Sequence, residues 1–444
     1  MQDIEKILAD AAKLDSLNVG KLFAYIYETG DEELKKIAFN ALIRFYDKNM
    51  LDFSVYRSSI FFEKELIKFC NELMHGPKQC GTFTYGGTES IMLAVLAGRN
   101  RFIKRKGKDK APELLLPFTI HPAFLKAAHY LGLKVKIFGI DKEMRANIEE
   151  MKELLNEDTA LIALSAPNWP YGTIDPIREA AEIANEKGIL LHVDACVGGF
   201  ILPFFEKLGL NNKIFDFRID GVTSISLDVH KYGYAPKGAS VLLFREEELK
   251  KESIFVNVSN PGYIFINSAV LSSRSVGPLA AAYATIKYLG EKGYTEFAKQ
   301  VAYARDKIYH GMRKLNFKEV APIESPILSL YSEDIDLAAF MLAMRKLGWH
   351  FHLQRAIKKF NIPTNLHMTI SPVHSKTCDE FLIDAKKALE MKKEFDLKKI
   401  DMEQLIGYIK EGKIDSSIAP LLIDAFDEET AIDIVKNLVI DWYR

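Results

Sequence analysis

ILLHVDACVGG (189–199) and GVTSISLDVHKYGYAPKG (221–238) decide how this chain is read. Each opens as a short, uninterrupted apolar run and ends on residues that carry chemistry: Asp194 closes the first run, and His230 and Lys231 follow the second. Four more runs of this kind, LLLPF (114–118), KVKIFGI (134–140), ALIALSA (160–166) and SVLLF (240–244), alternate with helix-like stretches such as 177–186. Strands that are apolar on both faces and separated by helices predict a mostly parallel central sheet flanked by helices, an α/β fold.

Outward from this centre the pattern changes. Residues 1–75 keep helical spacing, with Ile4, Ile7, Leu8 and Ala11 on one face and Leu34, Ile37, Ala38, Ala41 and Leu42 on another. A Gly/Pro/Ser-marked loop at 260–278 precedes a long helical stretch over 279–315. PILSLYS (326–332), WHFHLQ (349–354) and LHMTIS (366–371) then read as strands, 378–391 as a helix and 397–444 as an amphipathic helical tail. The expected organisation is a helical segment 1–75, a large α/β domain 76–300, and a small α+β domain with a helical tail, 301–444.

Composition sets the class. The 444 residues carry 59 Lys+Arg against 60 Asp+Glu, a net charge of -1, with 48% hydrophobic and 27% charged residues; this excludes a disordered chain and a strongly basic nucleic-acid binder. Cys70, Cys80, Cys196 and Cys378 are scattered without a C-x-x-C pair, so the expectation is reduced thiols and no metal centre. The first residues lack the basic-then-apolar order of a signal peptide, and the apolar stretch 188–205 is interrupted by His192, Asp194 and Pro203. A cytoplasmic protein with no integral membrane segment is expected.

Three constellations carry chemistry. Gly86-Gly87-Thr88-Glu89-Ser90 opens a helical run; its glycines, two hydroxyls and open N–H groups suit a phosphate, although a plain N-cap with a tight turn has the same composition. Asp194, with His192 on the same strand face, lies where open α/β sheets place ligands, and a protonated heterocyclic nitrogen or, less simply, a metal would answer its charge. Lys231, beside His230 and among Tyr232, Tyr234 and Pro236, suits a desolvated amine that forms a Schiff base with a carbonyl. Phosphate cradle, strand-end acid and strand-end lysine together match the phosphate, pyridine nitrogen and aldehyde of pyridoxal 5'-phosphate.

GTFTYGGTES (81–90), SAPNWPYGTIDP (165–176), LHVDACVGGFILPF (191–204), HKYGYAPKG (230–238) and SSRSVGPLAAAYATIKYLGEKGY (272–294) resemble, in order, the sphingosine-1-phosphate lyases within the pyridoxal-phosphate decarboxylases. The resemblance implies a fold-type I enzyme acting as a homodimer with shared active sites. It makes Lys231 the cofactor lysine, Asp194 the partner of the ring nitrogen and His121 the imidazole stacked on the ring. Gly86, Gly87 and Thr88 would hold the phosphate, with Ser226 and His230 nearby. Asn168 would stand near the ring hydroxyl, Arg274 and Gly277 would reach the neighbour's cofactor, and Asn49 and Lys237 would contact the substrate. Two positions depart from the pattern: Asp52 replaces a histidine near the substrate, and Tyr85 a serine before the glycines. The implied reaction is retro-aldol cleavage of a phosphorylated amino alcohol to an aldehyde and phosphoethanolamine. An amino-acid decarboxylase is the alternative that Asp52 favours, and a non-catalytic scaffold is a third reading, which intact Asp194 and Lys231 oppose.

Overall fold

The computed structural model describes residues 2–15, 18–24, 27–52, 54–107, 109–391, 427–441 and 443. All six apolar runs are strands of one seven-stranded sheet, joined by a strand that the sequence pattern does not announce. In chain order they are β1 (Gly81–Thr84), β2 (Glu113–Pro117), β3 (Lys134–Phe138), β4 (Thr159–Ser165), β5 (Leu190–Asp194), β6 (Val222–Leu227) and β7 (Ser240–Phe244). Their spatial order is β1-β7-β6-β5-β4-β2-β3. The pairs from β3 through β6 are parallel, and β7 runs antiparallel to both β6 and β1.

Burial explains the composition of the strands. All seven residues of β4 are buried, as are all five of β7, because helices cover both faces. One core cluster joins Ile91 and Val95 of the helix Gly87–Lys106 to Leu114, Leu116, Leu161 and Ala163 of the sheet and to Phe124 of the helix Ala123–Leu131. Each such large side chain contributes about 1.5–3 kcal/mol by leaving water. The edge strand β3 instead places Lys134 and Lys136 toward solvent, Lys136 paired with Glu113 at 2.9 Å, which discourages a further strand from adding there.

The buried face of β5 and β6 holds one polar group of note. His192 is fully buried and hydrogen-bonded through Nδ1 to Ser224 Oγ (2.8 Å) and through Nε2 to Ser226 Oγ (3.1 Å). Burial pushes its imidazole down to about 4, so it is a neutral, satisfied core histidine. Ser226, expected beside the phosphate, is committed here and behind Asp194.

Two compact units emerge: one comprises residues 29–299 and 321–327, the other residues 1–28, 300–320 and 328–444. The expected helical segment 1–75 is therefore not one unit. In the smaller unit Phe23 donates its N–H to His350 O (2.8 Å) and accepts from Thr369 N (2.8 Å). Its ring stacks on His374 at 4.2 Å and meets Phe381 edge-on at 5.1 Å. These bonds claim the stretch around Phe23 for the smaller unit, while the helices Glu32–Arg44 and Arg57–Leu73 belong to the larger. The larger unit also takes 321–327, where Glu324 accepts from Ile174 N (2.9 Å) and pairs with Arg145 (2.5 Å) and Lys213 (2.8 Å).

Three further expectations are refined. The hairpin of β8 (Phe255–Asn257) and β9 (Phe265–Asn267) begins where a strand is not predicted and runs into the expected loop. The long helix Gly277–Arg313 is two helices joined at a non-helical Gly290. In the smaller unit β10 (Lys318–Glu319), β11 (Ile327–Tyr331), β12 (His352–Gln354) and β13 (Asn365–Thr369) form a sheet in the order β10-β11-β13-β12, followed by the helix His374–Met391. Of the tail 397–444, Glu428–Asp441 is helical and 397–426 lies outside the described residues.

Two outcomes are expected. A Cβ on Gly198 would stand 2.1 Å from Ala166 O and 2.6 Å from Leu202 Cδ1, so Gly198→Ala should lower stability by about 3 kcal/mol in urea unfolding, whereas Gly209→Ala, with open space and φ +71°, should cost about 1 kcal/mol. His192 titrates near 4 in the fold against 6.5 in the unfolded chain; its stabilising contribution is full above the unfolded value and is lost as pH falls toward 4, about 3 kcal/mol in all. Asp175, which burial pushes up to about 7, acts with the opposite sign, losing stability as pH rises. The difference between wild type and His192→Gln therefore isolates the histidine: the wild type should lose about 2 kcal/mol more than the variant between pH 7 and pH 4.5.

Candidate active site

Ser165, Asp194 and Ser226 are register partners at the carboxyl ends of β4, β5 and β6. A cavity of about 450 Å³ opens in front of them, within the size range of small-molecule sites. A larger one of about 660 Å³ lies at the opposite, amino-terminal end of β4 and β5, between Arg101, Arg105 and Lys187. The carboxyl-end cavity is the one on which Lys231, Asp194, His121 and His230 converge.

Asp194 is 7% exposed; its Oδ1 accepts from Cys196 N (3.0 Å) and more distantly from Ser226 Oγ (3.4 Å). These donors are neutral, as is His192 behind them, so a positive partner for the carboxylate must come from the cavity. His121 stands in the loop after β2 and also accepts the Ala123 N–H on Nδ1 (3.2 Å), which leaves the proton on Nε2. Its capping and cavity-lining roles coexist. Burial holds the ring below the ordinary histidine range, Asp194 pulling it up and Lys231 down.

Lys231 Nζ lies 2.9 Å from Asp228 Oδ2, and His230 Nε2 lies 3.6 Å from the same oxygen. His230 Nδ1 accepts from Ala239 N (3.1 Å), so its Nε2 carries the proton beside the cavity, and burial holds this ring low as well. A Cβ on Gly87 would meet Cys196 Sγ at 2.8 Å and Asp228 Oδ2 at 2.9 Å, so only glycine fits at this turn. The turn starts the helix Gly87–Lys106, whose first N–H groups have no carbonyl of their own to bond. Ser90, read as a second hydroxyl for the ligand, is buried instead in a relay of Thr84 Oγ1 (2.6 Å), Ser240 Oγ (2.9 Å) and Leu227 O that ties β1, the helix, β7 and β6 together.

Other expected site residues fall elsewhere. Asn168 does not line the cavity: its Nδ2 donates to Met144 O (3.0 Å) and Thr173 Oγ1 (2.8 Å), and its Oδ1 accepts from Tyr171 N (3.0 Å), fixing the loop whose Pro167 and Trp169 are lining residues. Lys237 is exposed, with Nζ 3.4 Å from His230 O. Asn49, Arg274 and Gly277 form a second cluster: Asn49 Oδ1 accepts from Leu51 N (2.9 Å) and Arg274 N (3.3 Å), and Arg274 donates to Phe83 O (3.0 Å). Gly277 abuts the Leu42 carbonyl. Tyr85 links this cluster to the cavity, lining the latter and donating its hydroxyl proton to Ser275 O. Asp52 is spent on its own turn, accepting from Ser54 N (2.9 Å), Ser54 Oγ (2.5 Å) and Val55 N (3.2 Å). Sequence reasoning missed Asp228 and Glu89, which accepts from Tyr85 N and from Val270 N at the rim; the signal for Asp228 was its place three residues before Lys231 at a strand end.

The residues present fit pyridoxal 5'-phosphate: a glycine turn that a Cβ would fill, a buried acid lacking a cation, and a lysine reaching the same cavity. Comparison with known proteins agrees. The pyridoxal-dependent decarboxylase conserved domain matches residues 1–326. Sphingosine-1-phosphate lyase of Arabidopsis thaliana is 35% identical over 388 residues, covering 85% of this chain and 70% of its own length; sphingosine-1-phosphate lyase 1 of Rattus norvegicus is 36% identical over 83% of this chain and 64% of its own. The chain thus spans about two thirds of the length of these relatives. Among solved structures, a sphingosine-1-phosphate lyase of Burkholderia pseudomallei superposes with a TM-score of 0.82 at 31% identity, covering 88% of this chain and 91% of that one. A glutamate decarboxylase of Lactobacillus brevis, at 0.77 and 21%, covering 88% and 92%, shares the fold. The chain belongs to the pyridoxal-dependent decarboxylase family, in the branch of the sphingosine-1-phosphate lyases.

Proposed function

We propose that the protein is a carbon–carbon lyase that cleaves a phosphorylated long-chain amino alcohol into an aldehyde and phosphoethanolamine, as a cytoplasmic homodimer. The observation that carries this reading is the convergence of Lys231, Asp194 and His121 on one cavity beside the Gly87 turn. Relatives named for this activity, at 32–36% identity, support it.

The family's cofactor, pyridoxal 5'-phosphate, supplies when bound an electron-poor ring that accepts the electron pair of a bond breaking next to the substrate nitrogen. Gly86, Gly87 and Thr88 offer N–H groups to its phosphate, and His230 adds its Nε2–H. Asp194 would hold a proton on the ring nitrogen and so keep the ring electron-poor. The neutral His121 imidazole, which lines the cavity, would lie against the ring without adding charge. Lys231 would hold the aldehyde through its amine and would serve as base and acid at the reacting carbon. Pro167, Trp169, Val270 and Leu271 give this space an apolar lining. Asn49 and Lys237 are assigned to the substrate; Asn168 and Ser226 position the loop and Asp194.

Exposed apolar side chains support a second copy: Phe255, Val256, Tyr263 and Ile264 on the hairpin, with Val270 and Leu271 at the cavity rim. Arg274 and Gly277, outside the wall of their own chain's cavity, would serve the partner's site. The four cysteines are buried and unpaired, in keeping with a reducing compartment, and no described helix is long and apolar enough to cross a membrane.

Given a phosphorylated sphingoid base and a panel of amino acids, the purified protein should release a long-chain aldehyde and phosphoethanolamine, identified by mass spectrometry; carbon dioxide from an amino acid in their place would make it a decarboxylase. Lys231→Ala should lose the visible absorbance of the lysine-bound cofactor and at least about 1,000-fold in turnover while staying folded. Asp194→Asn should keep the cofactor and lose about 100-fold or more; unchanged turnover in either variant removes that residue from its role.

A further inference from the structure

Asp228 is a charged group at the site that the proposed chemistry leaves unused. It is 2% exposed and borders the cavity. Oδ2 lies 2.9 Å from Lys231 Nζ, while among the described residues no donor meets the buried Oδ1 in hydrogen-bond geometry. Both oxygens stand within 3.0 Å of the point that a Cβ on Gly87 would occupy, so the carboxylate adjoins the turn assigned to the phosphate. A buried oxygen without a donor is costly, and a second anion set against it is more so unless one of the two is neutralised.

The groups facing Asp228 define its charge balance. Lys231 and His230 follow it on the same strand end, Lys237 lies on the loop beyond, Cys196 comes from the end of β5, and His121 from the loop after β2. Burial keeps both histidines neutral and pushes the Cys196 thiol far up, which leaves the two lysines as cations. Burial also opposes ionisation of Asp228, but the Lys231 ammonium 2.9 Å away leads the opposing influences, and the carboxyl is held below the usual carboxylate range. The unloaded site is thus an ammonium–carboxylate pair, unsuited both to bonding an aldehyde and to receiving a phosphate.

We propose that Asp228 stores Lys231 as an ammonium ion in the unloaded enzyme and takes its proton when the cofactor enters. One N–H bond breaks and one O–H bond forms, so the ion pair becomes a neutral amine and a neutral carboxylic acid with no proton exchanged with solvent. The amine lone pair is then free to condense with the aldehyde carbon, releasing water. The new O–H offers the phosphate beside Gly87 a donor in place of a repelling charge. This rests on Lys231 being the cofactor lysine.

Acetic anhydride labelling of the apoenzyme, quantified lysine by lysine with mass spectrometry, reads the pair without cofactor or substrate. Asp228→Asn should raise Lys231 acetylation at pH 7 about tenfold or more, with exposed Lys134 in the same digest unchanged, and should bind inorganic phosphate about tenfold more tightly than wild type. Equal Lys231 labelling in both proteins overturns the proposal. The wild type gives a second measurement that needs no substitution: infrared difference spectra on loading pyridoxal phosphate should show a new band of a protonated carboxylic acid, and loading without that band overturns the proton transfer. The labelling precedes any cofactor, so failure of the lyase activity leaves the state of the Asp228–Lys231 pair independently measured.

Discussion

Thr223 occupies a bulge between β5 and β6, and the position of the Asp194 carboxylate depends on it. Leu191 pairs with Val222, yet the next residue, His192, pairs with Ser224. The skipped Thr223 turns its hydroxyl to Leu191, accepting from the N–H (3.1 Å) and donating to the carbonyl (2.8 Å). Strands that are apolar on both faces do not select their own register, because a slip of one residue exchanges one buried apolar face for another. The polar pairings select it: His192 meets both Ser224 and Ser226 only in this alignment, and the same alignment sets Asp194 between Ser165 and Ser226. The buried histidine thus acts on function at a distance, by fixing where a carboxylate ends up.

The site that results is held away from electrostatic balance. Two buried acids, Asp194 and Asp228, face one cavity, and burial keeps the histidines neutral. Lys231 answers Asp228, while among the described residues Asp194 receives only an amide and a distant hydroxyl. Such an arrangement lowers stability, and the sheet around it compensates with fully buried apolar strands on either side. What completes it is a ligand with a protonated nitrogen at one end and an anionic group at the other, which is the polarity of the family's cofactor.

The legible part of this architecture is the part that physics writes locally. The six short apolar runs are strands because nothing else buries runs of that length, and Asp194, Lys231 and Gly87 are recognisable because strand ends and a glycine turn confine what those residues can do. β1 escapes notice because Gly-Thr-Phe-Thr is short and mixed, and owes its place to pairing with β7. The stretch around Phe23 looks like a linker between helices; its stacking with His374 and Phe381 is tertiary and leaves no periodic trace. Asn168, Ser226 and Ser90 show the converse limit. A polar residue near a strand end either faces the ligand or satisfies its own backbone, and spacing alone does not distinguish the two. Asp228 stays hidden in the sequence because an acid three residues before a lysine looks like an ordinary local ion pair until both are buried.

The two walls of the cavity are built to different standards, and the difference bears on reaction choice. On the Pro167–Trp169 side, Asn168 makes two hydrogen bonds within the loop and a third to Met144 O, Asp175 accepts from Ser165 N (2.8 Å) and Ala146 N (2.9 Å), and Glu324 clamps Ile174 N. These partners are buried, so a change there leaves a polar group unsatisfied and the wall resists deformation. On the opposite rim, Val270 and Leu271 are about half exposed and are tied to the helix start by Glu89. Which bond breaks next to a substrate nitrogen depends on which substituent stands perpendicular to the ring, so the plane of the ring has to be fixed more tightly than the position of a substrate tail. The rigid wall adjoins β4 and Asp194, and the more exposed one lies at the mouth of the cavity.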